Sequence, residues 1–113
     1  MQDCVFCQIV EEKTTRAIES ESEMVVAFKT IEPVADVHFL IIPKDHISSF
    51  MELTRDEVLG EMKKMAQELI RKHKIEGGYK LLFNGGRHQA VPHLHWHLLG
   101  GRFHDEANIL SKT

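Results

Sequence analysis

An α+β domain built on an antiparallel sheet is the fold class this sequence predicts. Three observations carry the prediction: about five short segments read as strands, short connections join most of them, and one long segment has helical periodicity. At 113 residues and 13.0 kDa the chain has the size of one domain. No repeat, low-complexity tract or linker interrupts it, so residues 1–113 are taken as a single unit. Area scaling predicts roughly 6,300 Å² of folded surface against roughly 18,900 Å² unfolded. With 42% apolar residues, that supports a core without covalent staples.

Each element has its own signal. Val5 to Glu11 is amphipathic and reads as a short helix or an irregular turn. Ala17 to Glu19 and Met24 to Phe28 read as strands on either side of a polar Glu-Ser-Glu turn, and Pro33 marks a loop. Val37 to Ile42 is an apolar run interrupted only by His38 and ending at Pro43, the pattern of a strand buried on both faces. Thr54 to His73 is the long helix. Thr54 and Glu57 are spaced as a capping box, in which hydroxyl and carboxylate each satisfy an orphan backbone donor. Val58, Met62, Met65 and Leu69 recur at helical spacing, as do Leu59, Met62, Ala66 and Ile70, and this face is read as core or subunit contact. Lys72, His73 and Lys74 suit the negative end of the helix dipole, and Gly77-Gly78 is expected to stop the helix. Tyr79 to Asn84 reads as a strand followed by a Gly85-Gly86 turn. His93 to Leu99 reads as another, closed by Gly100-Gly101, with a loosely held polar tail from Arg102.

Composition excludes several functions. A net charge of -3 and a pI near 6.2 give no footprint for duplex nucleic acid. Apolar runs such as Phe39 to Ile42 and Leu81 to Phe83 are far too short to cross a membrane. No secretory signal is visible at the N-terminus, and two closely spaced cysteines make no disulfide framework, so a reducing, cytoplasmic setting is expected.

Eight histidines are the unusual feature, and three of them alternate with large apolar residues in His93-Leu94-His95-Trp96-His97-Leu98-Leu99. On a strand this period of two places His93, His95 and His97 on one face and Leu94, Trp96 and Leu98 on the other. On a helix the imidazoles would fan out over about 200°. Three readings stand for such a row: a solvated cluster, a metal site with an open position, or nucleophilic attack on phosphorus with neighbouring imidazoles binding charged oxygens.

The segment resembles the histidine triad (HIT) family, whose pattern is His-x-His-x-His followed by two apolar residues. The resemblance extends to Cys4-Val5-Phe6-Cys7-Gln8-Ile9-Val10, to His38 through Ile47 and to Asn84-Gly85-Gly86, covering nearly the whole chain in order. The ending Leu98-Leu99-Gly100-Gly101-Arg102 is similar to the nucleoside phosphoramidate hydrolase branch. The resemblance implies a HIT-like fold: a five-stranded antiparallel sheet with one long helix and a short N-terminal helix, paired into a homodimer. It implies attack on the α-phosphate of a purine nucleotide by His95, with hydrolysis of a nucleotidyl-histidine. His97 would bind the phosphoryl oxygens, and His38 would join His93 and His95 in a proton relay. Phe6, Ile9, Phe28 and Ile31 would form the base slot; Asn84, Gln89 and the backbone of Ala90 would approach the phosphate.

This chain departs from the branch at three places. Thr30 stands where an aspartate commonly meets the ribose, and Ala90 stands where a serine is common. The loop Gly85 to Val91 is shortened, and within it Arg87 is read as solvated. Cys4-x-x-Cys7 alone fits half a zinc site, a redox pair or two ordinary thiols. The resemblance implies structural zinc held by Cys4, Cys7, His46 and His93, which sets two roles for His93 in competition. Dinucleoside polyphosphate cleavage and a non-catalytic, zinc-containing nucleotide-binding module are the rival functions.

Overall fold

The computed structural model describes residues 4–12 and 18–104. Two helices and five strands form an α+β fold in which both faces of one antiparallel sheet are covered. Helix α1 spans Val5–Glu12 and α2 spans Asp56–Lys72; the strands are β1 Ile18–Glu21, β2 Val25–Lys29, β3 Ala35–Pro43, β4 Tyr79–Leu82 and β5 Trp96–Phe103. The strand order is β1-β2-β3-β5-β4, and each neighbouring pair runs antiparallel. The expected five-stranded sheet with one long and one short helix is therefore present.

Side-chain alternation along β2 and β3 divides the core in two. Val25, Ala27, Phe39 and Ile41 pack with Val58, Met62, Met65, Ala66 and Leu69 of α2. Val26, Phe28, Leu40 and Ile42 pack on the other face with Cys4, Phe6, Cys7 and Ile9. From Phe39 to Ile42 the central strand β3 is apolar on both faces because helices cover both, as the apolar run there predicts. Leu94, Trp96 and Leu98 join the α2 layer, so the residues between the histidines lie where period two puts them.

Several local expectations are corrected. The α2 N-cap is Arg55, in extended conformation with no side-chain cap bond, and the helix begins at Asp56. Thr54 and Glu57 thus straddle the start one residue out of register for a capping box. Its C-terminus is set by Lys74 at φ 57, before Gly77-Gly78 is reached. The ladder of β5 starts at Trp96, so His93 and His95 precede the strand, and it runs through Gly100-Gly101 to Phe103 instead of stopping there. Arg102 is consequently part of the sheet, and its N–H donates to Asp36 Oδ2 at 2.9 Å. Strand β4 ends at Leu82, short of Asn84. On α2, Leu59 is exposed although it falls on the apolar stripe. Ala17 and the segment 105–113 lie outside the described residues.

Candidate functional site

The polar side chains buried among the described residues are His38, His93, His95 and His97. Burying an imidazole requires hydrogen-bond partners, and those partners assign the tautomers. The backbone N–H of Val34 donates to His38 Nδ1 at 3.2 Å, so the proton of His38 sits on Nε2. That Nε2–H lies 2.9 Å from His97 Nδ1, which must accept, leaving the proton of His97 on its own Nε2. Strand register explains the meeting: Leu40 pairs with His97 and His38 pairs with Leu99, so the two histidines are diagonal neighbours on one face. His95 is held the other way round. Its Nδ1–H donates to the carbonyl oxygen of His93 at 2.7 Å, placing the lone pair on Nε2.

Adjacent rings therefore carry their protons on opposite nitrogens, Nδ1 in His95 and Nε2 in His97. Their centroids are 5.4 Å apart. Burial, then the neighbouring His95 and His38, push the His97 pKa down to about 3, so it is a neutral donor across the ordinary pH range. Through this bond His38 is tied directly to the last histidine of the triad.

His93 faces a different group. Its Nε2–H donates to the carbonyl oxygen of Pro43 at 2.9 Å, which turns Nδ1 toward the two thiols. Nδ1 lies 3.3 Å from Cys4 Sγ and 3.5 Å from Cys7 Sγ, and His46 Nδ1 lies 3.2 Å from Cys7 Sγ. One ligand atom from each of Cys4, Cys7, His46 and His93 falls within 4.8 Å of the others. Ordinary Zn–S and Zn–N bond lengths in a tetrahedron give a sulfur-to-nitrogen edge of about 3.6 Å, so donor set and spacing fit zinc. The Pro43 carbonyl supplies the outer hydrogen bond that metal-ligating histidines usually make. Burial pushes the His93 pKa down to about 4 against the raising effect of Pro43, with His46 and His95 adding to the fall. Burial, with Cys4 beside it, pushes the Cys7 thiol up to about 11.

The two groups are brought together by backbone bonds between loops. Leu94 N–H donates to the Ile47 carbonyl at 2.6 Å. The Gln89 side-chain amide donates to the carbonyls of Ser48 and Val91 at 2.7 and 2.9 Å. Both donors of the Gln89 amide thus tie the loop. Ala90 is exposed beside it and Asn84 is half-buried.

Of the predicted base slot, Phe6 and Ile31 line a cavity of about 160 Å³ together with Thr30, expected at the ribose, and with Val5, Glu32, Leu40 and Val91. Ile9 and Phe28 are buried in the layer behind it. Ile31 is 75% exposed and forms the rim. The Phe6 ring stands edge-on to His95, His93 and Phe28 at 5.1, 5.8 and 5.8 Å. Sequence reading passed over Leu40, although its parity with His38 on a strand was the available signal. It also passed over the backbone groups of Val34 and Pro43, which have none.

A HIT domain is matched over residues 11–104. The chain belongs to the HIT family. The purine nucleoside phosphoramidase of Escherichia coli K12 is 35% identical to this HIT chain over 106 residues, covering 89% of each. The bifunctional adenosine 5′-phosphosulfate phosphorylase/adenylylsulfatase of Arabidopsis thaliana is 36% identical over 100 residues, 85% of this chain and 68% of the relative. Among solved structures, a HIT family hydrolase from Clostridium thermocellum has a TM-score of 0.83 at 42% identity, covering 89% of this chain and 92% of its own. A histidine triad protein from Clostridium difficile has a TM-score of 0.84 at 27% identity, covering 90% and 93%. The HIT fold expected from the triad pattern is thereby established.

Proposed function

We propose that this HIT-family protein attacks the α-phosphate of purine nucleoside 5′-phosphoramidates through a nucleotidyl-histidine intermediate. The observation that carries the reading is the opposed tautomers of His95 and His97 on one face, 5.4 Å apart, beside an apolar slot.

His95 Nε2 attacks phosphorus, the P–Nε2 bond forms, and the P–N bond to the amine breaks as that nitrogen takes a proton from water. The hydroxide so generated then attacks the same phosphorus, the P–Nε2 bond breaks, and the nucleoside monophosphate leaves. Throughout, His97 Nε2–H bonds to a phosphoryl oxygen, and that bond strengthens as charge accumulates in the transition state. A donor held neutral by burial is not consumed as an acid. His38 does not touch substrate in this scheme; it is a positioning residue that fixes the His97 tautomer. Phe6, Thr30 and Ile31 take the base and ribose end, with Ile9 and Phe28 supporting the slot from behind. Asn84 and the backbone at Ala90 reach the phosphate or leaving group, and Gln89 keeps their loop in place. Cys4, Cys7, His46 and His93 would hold zinc, which supplies a structural cross-link and takes no part in the phosphoryl chemistry. His93 then acts on His95 through its carbonyl while its ring serves the metal.

The two named relatives support a nucleotide substrate but differ in leaving group, amine in one and sulfate in the other. Adenosine 5′-phosphosulfate is therefore the second substrate to test. The exposed apolar row on β4, the sheet edge, supports a homodimer. Rapid quench of the protein with an AMP phosphoramidate, followed by mass spectrometry, tests the central reading. The expected result is an adenylyl adduct on His95 and release of AMP; turnover in a His95→Ala variant equal to the parent's would overturn it.

A further inference from the structure

We infer that the Cys4–Cys7–His46–His93 cluster is a latch on the aromatic wall of the nucleotide slot, so that metal occupancy governs how tightly the site takes a nucleotide. The inference rests on the nucleotide reading above and on the cluster holding zinc.

The geometry begins with Phe6. It lies between the two cysteines in sequence, and its ring meets His95 at 5.1 Å and His93 at 5.8 Å. Val5 and Phe6 form the α1 side of the 160 Å³ slot, whose other lining residues come from the β2–β3 connection, β3 and the loop before the triad. Helix α1 is eight residues long. A helix this short does not persist in water by itself, so tertiary anchors must hold it. Its buried anchors in this layer are Phe6, Cys7 and Ile9, with Cys4 immediately before it, and two of those four are thiols in the cluster. The other two ligands come from separate segments: His46 follows β3 and His93 precedes β5. One ion bound by all four ties α1 to both segments at once. It closes the chain on either side of Phe6 and so sets where the ring stands.

The imidazole that attacks is held by other means. The His93 carbonyl that receives His95 belongs to backbone fixed by His93 N–H to the Val91 carbonyl at 2.8 Å and Leu94 N–H to the Ile47 carbonyl at 2.6 Å. His97 is held by His38 on β3. Releasing α1 therefore opens the base slot and leaves the opposed tautomers in place. The effect falls on nucleotide binding more than on the chemical step.

The test uses the full chain loaded with zinc, its stoichiometry measured by elemental analysis, against the same protein stripped by a chelator under reducing conditions. Amide hydrogen exchange reports α1 directly, and calorimetry with AMP reports the slot. Metal removal is expected to speed exchange in residues 5–12 at least about tenfold and weaken AMP binding about tenfold, with α2 amides unchanged. Added Zn²⁺ restores both. A Cys4→Ser/Cys7→Ser double variant is expected to sit permanently in the weak-binding form, with unchanged α2 exchange showing that it is folded. Equal α1 exchange with and without metal overturns the latch, as does a chain that takes up no zinc. Faster α1 exchange with unchanged AMP affinity also overturns it. Loaded protein without AMP affinity overturns the nucleotide reading instead, and α1 exchange alone then decides whether the helix is latched.

Discussion

At the scale of single residues, the site works by fixing which nitrogen of each imidazole holds a proton. The His97 donor depends on His38, whose own Nδ1 is occupied by the Val34 N–H. In the proposed mechanism His97→Ala removes a transition-state donor, and it is expected to lower kcat by about 10²–10³ with a smaller change in KM. His38→Leu frees the His97 ring to reverse its tautomer and is expected to cost about 10–100-fold in kcat. His38→Gln keeps an N–H on the His97 side and should recover part of that loss in steady-state assays, a rescue that a purely structural role would not give. The same burial sets a pH dependence. His97 has a folded pKa of about 3 against an ordinary value of 6.5. The unfolded chain therefore binds the extra proton between these pH values. The contribution to stability is complete above pH 6.5 and is lost as pH falls toward 3, at up to about 1.4 kcal/mol per pH unit. Urea denaturation at pH 7, 5 and 4 measures it, and His97→Gln should reduce the slope, the remainder coming from His93, whose pKa burial also lowers. Alternation alone made the division of faces legible here, since Leu94, Trp96 and Leu98 lie against α2 as period two requires. The pairing of His38 with His97 was not legible, because it depends on the β3–β5 register and on one backbone N–H.

At the scale of elements, the sequence announced the helix and strands better than their ends. Helix α2 closes with Lys74 N–H on the Arg71 carbonyl and Ile75 N–H on the Ile70 carbonyl, the paired bonds of a Schellman motif. The residue in the left-handed position is lysine at φ 57. Glycine is the usual signal for this position, so the eye goes to Gly77-Gly78 and misses the true stop. Lys74→Gly relieves the unfavourable backbone conformation and is expected to raise stability by about 0.5–1 kcal/mol in chemical denaturation. The residue after it explains a glycine in the sheet. A Cβ at Gly100 would stand 2.5 Å from Ile75 Cδ1 and 3.0 Å from Ile75 Cβ. The clash reaches the branch point of Ile75 as well as its tip. Gly100→Ala should therefore destabilise by about 1–3 kcal/mol. For a domain of this size that is a fall in Tm of about 4–8 °C per kcal/mol, readable by calorimetry. Gly100-Gly101 looked like a turn because glycine commonly ends strands; its role at Gly100 is to let Ile75 approach.

At the scale of the whole molecule, the two edges of the sheet differ. Strand β1 has the sequence Ile-Glu-Ser-Glu, and its acids are the kind of charge that discourages pairing with another edge. Glu19 is further engaged by Lys72 and His73 of the α2 end at 2.8 and 2.9 Å. Strand β4 at the opposite edge exposes Tyr79 and Leu81, with Phe83 just beyond it stacked on Phe50 at 4.7 Å. Leu59 of α2 is exposed as well. Trp96, buried in the α2 layer of the adjacent β5, has an indole N–H without a hydrogen-bond partner among the described residues. A soluble protein seldom leaves a long apolar edge open, because its unpaired backbone is a template for another strand. The proposed homodimer covers it by joining β4 to β4 across a two-fold axis, which a self-complementary antiparallel edge permits. Leu81→Glu places like charges near that axis, where they would face each other in low dielectric. The expected outcome is a shift from dimer to monomer in sedimentation velocity at micromolar concentration, together with a change in Trp96 fluorescence. Glu21→Lys at the opposite edge should leave the assembly unchanged. Dimers of equal strength in the parent and Leu81→Glu proteins would exclude this edge as the contact. The Met-bearing stripe of α2 suggested core or subunit contact from sequence. The packing of α2 against the sheet assigns Met62 and Met65 to the core, a distinction that spacing alone does not make.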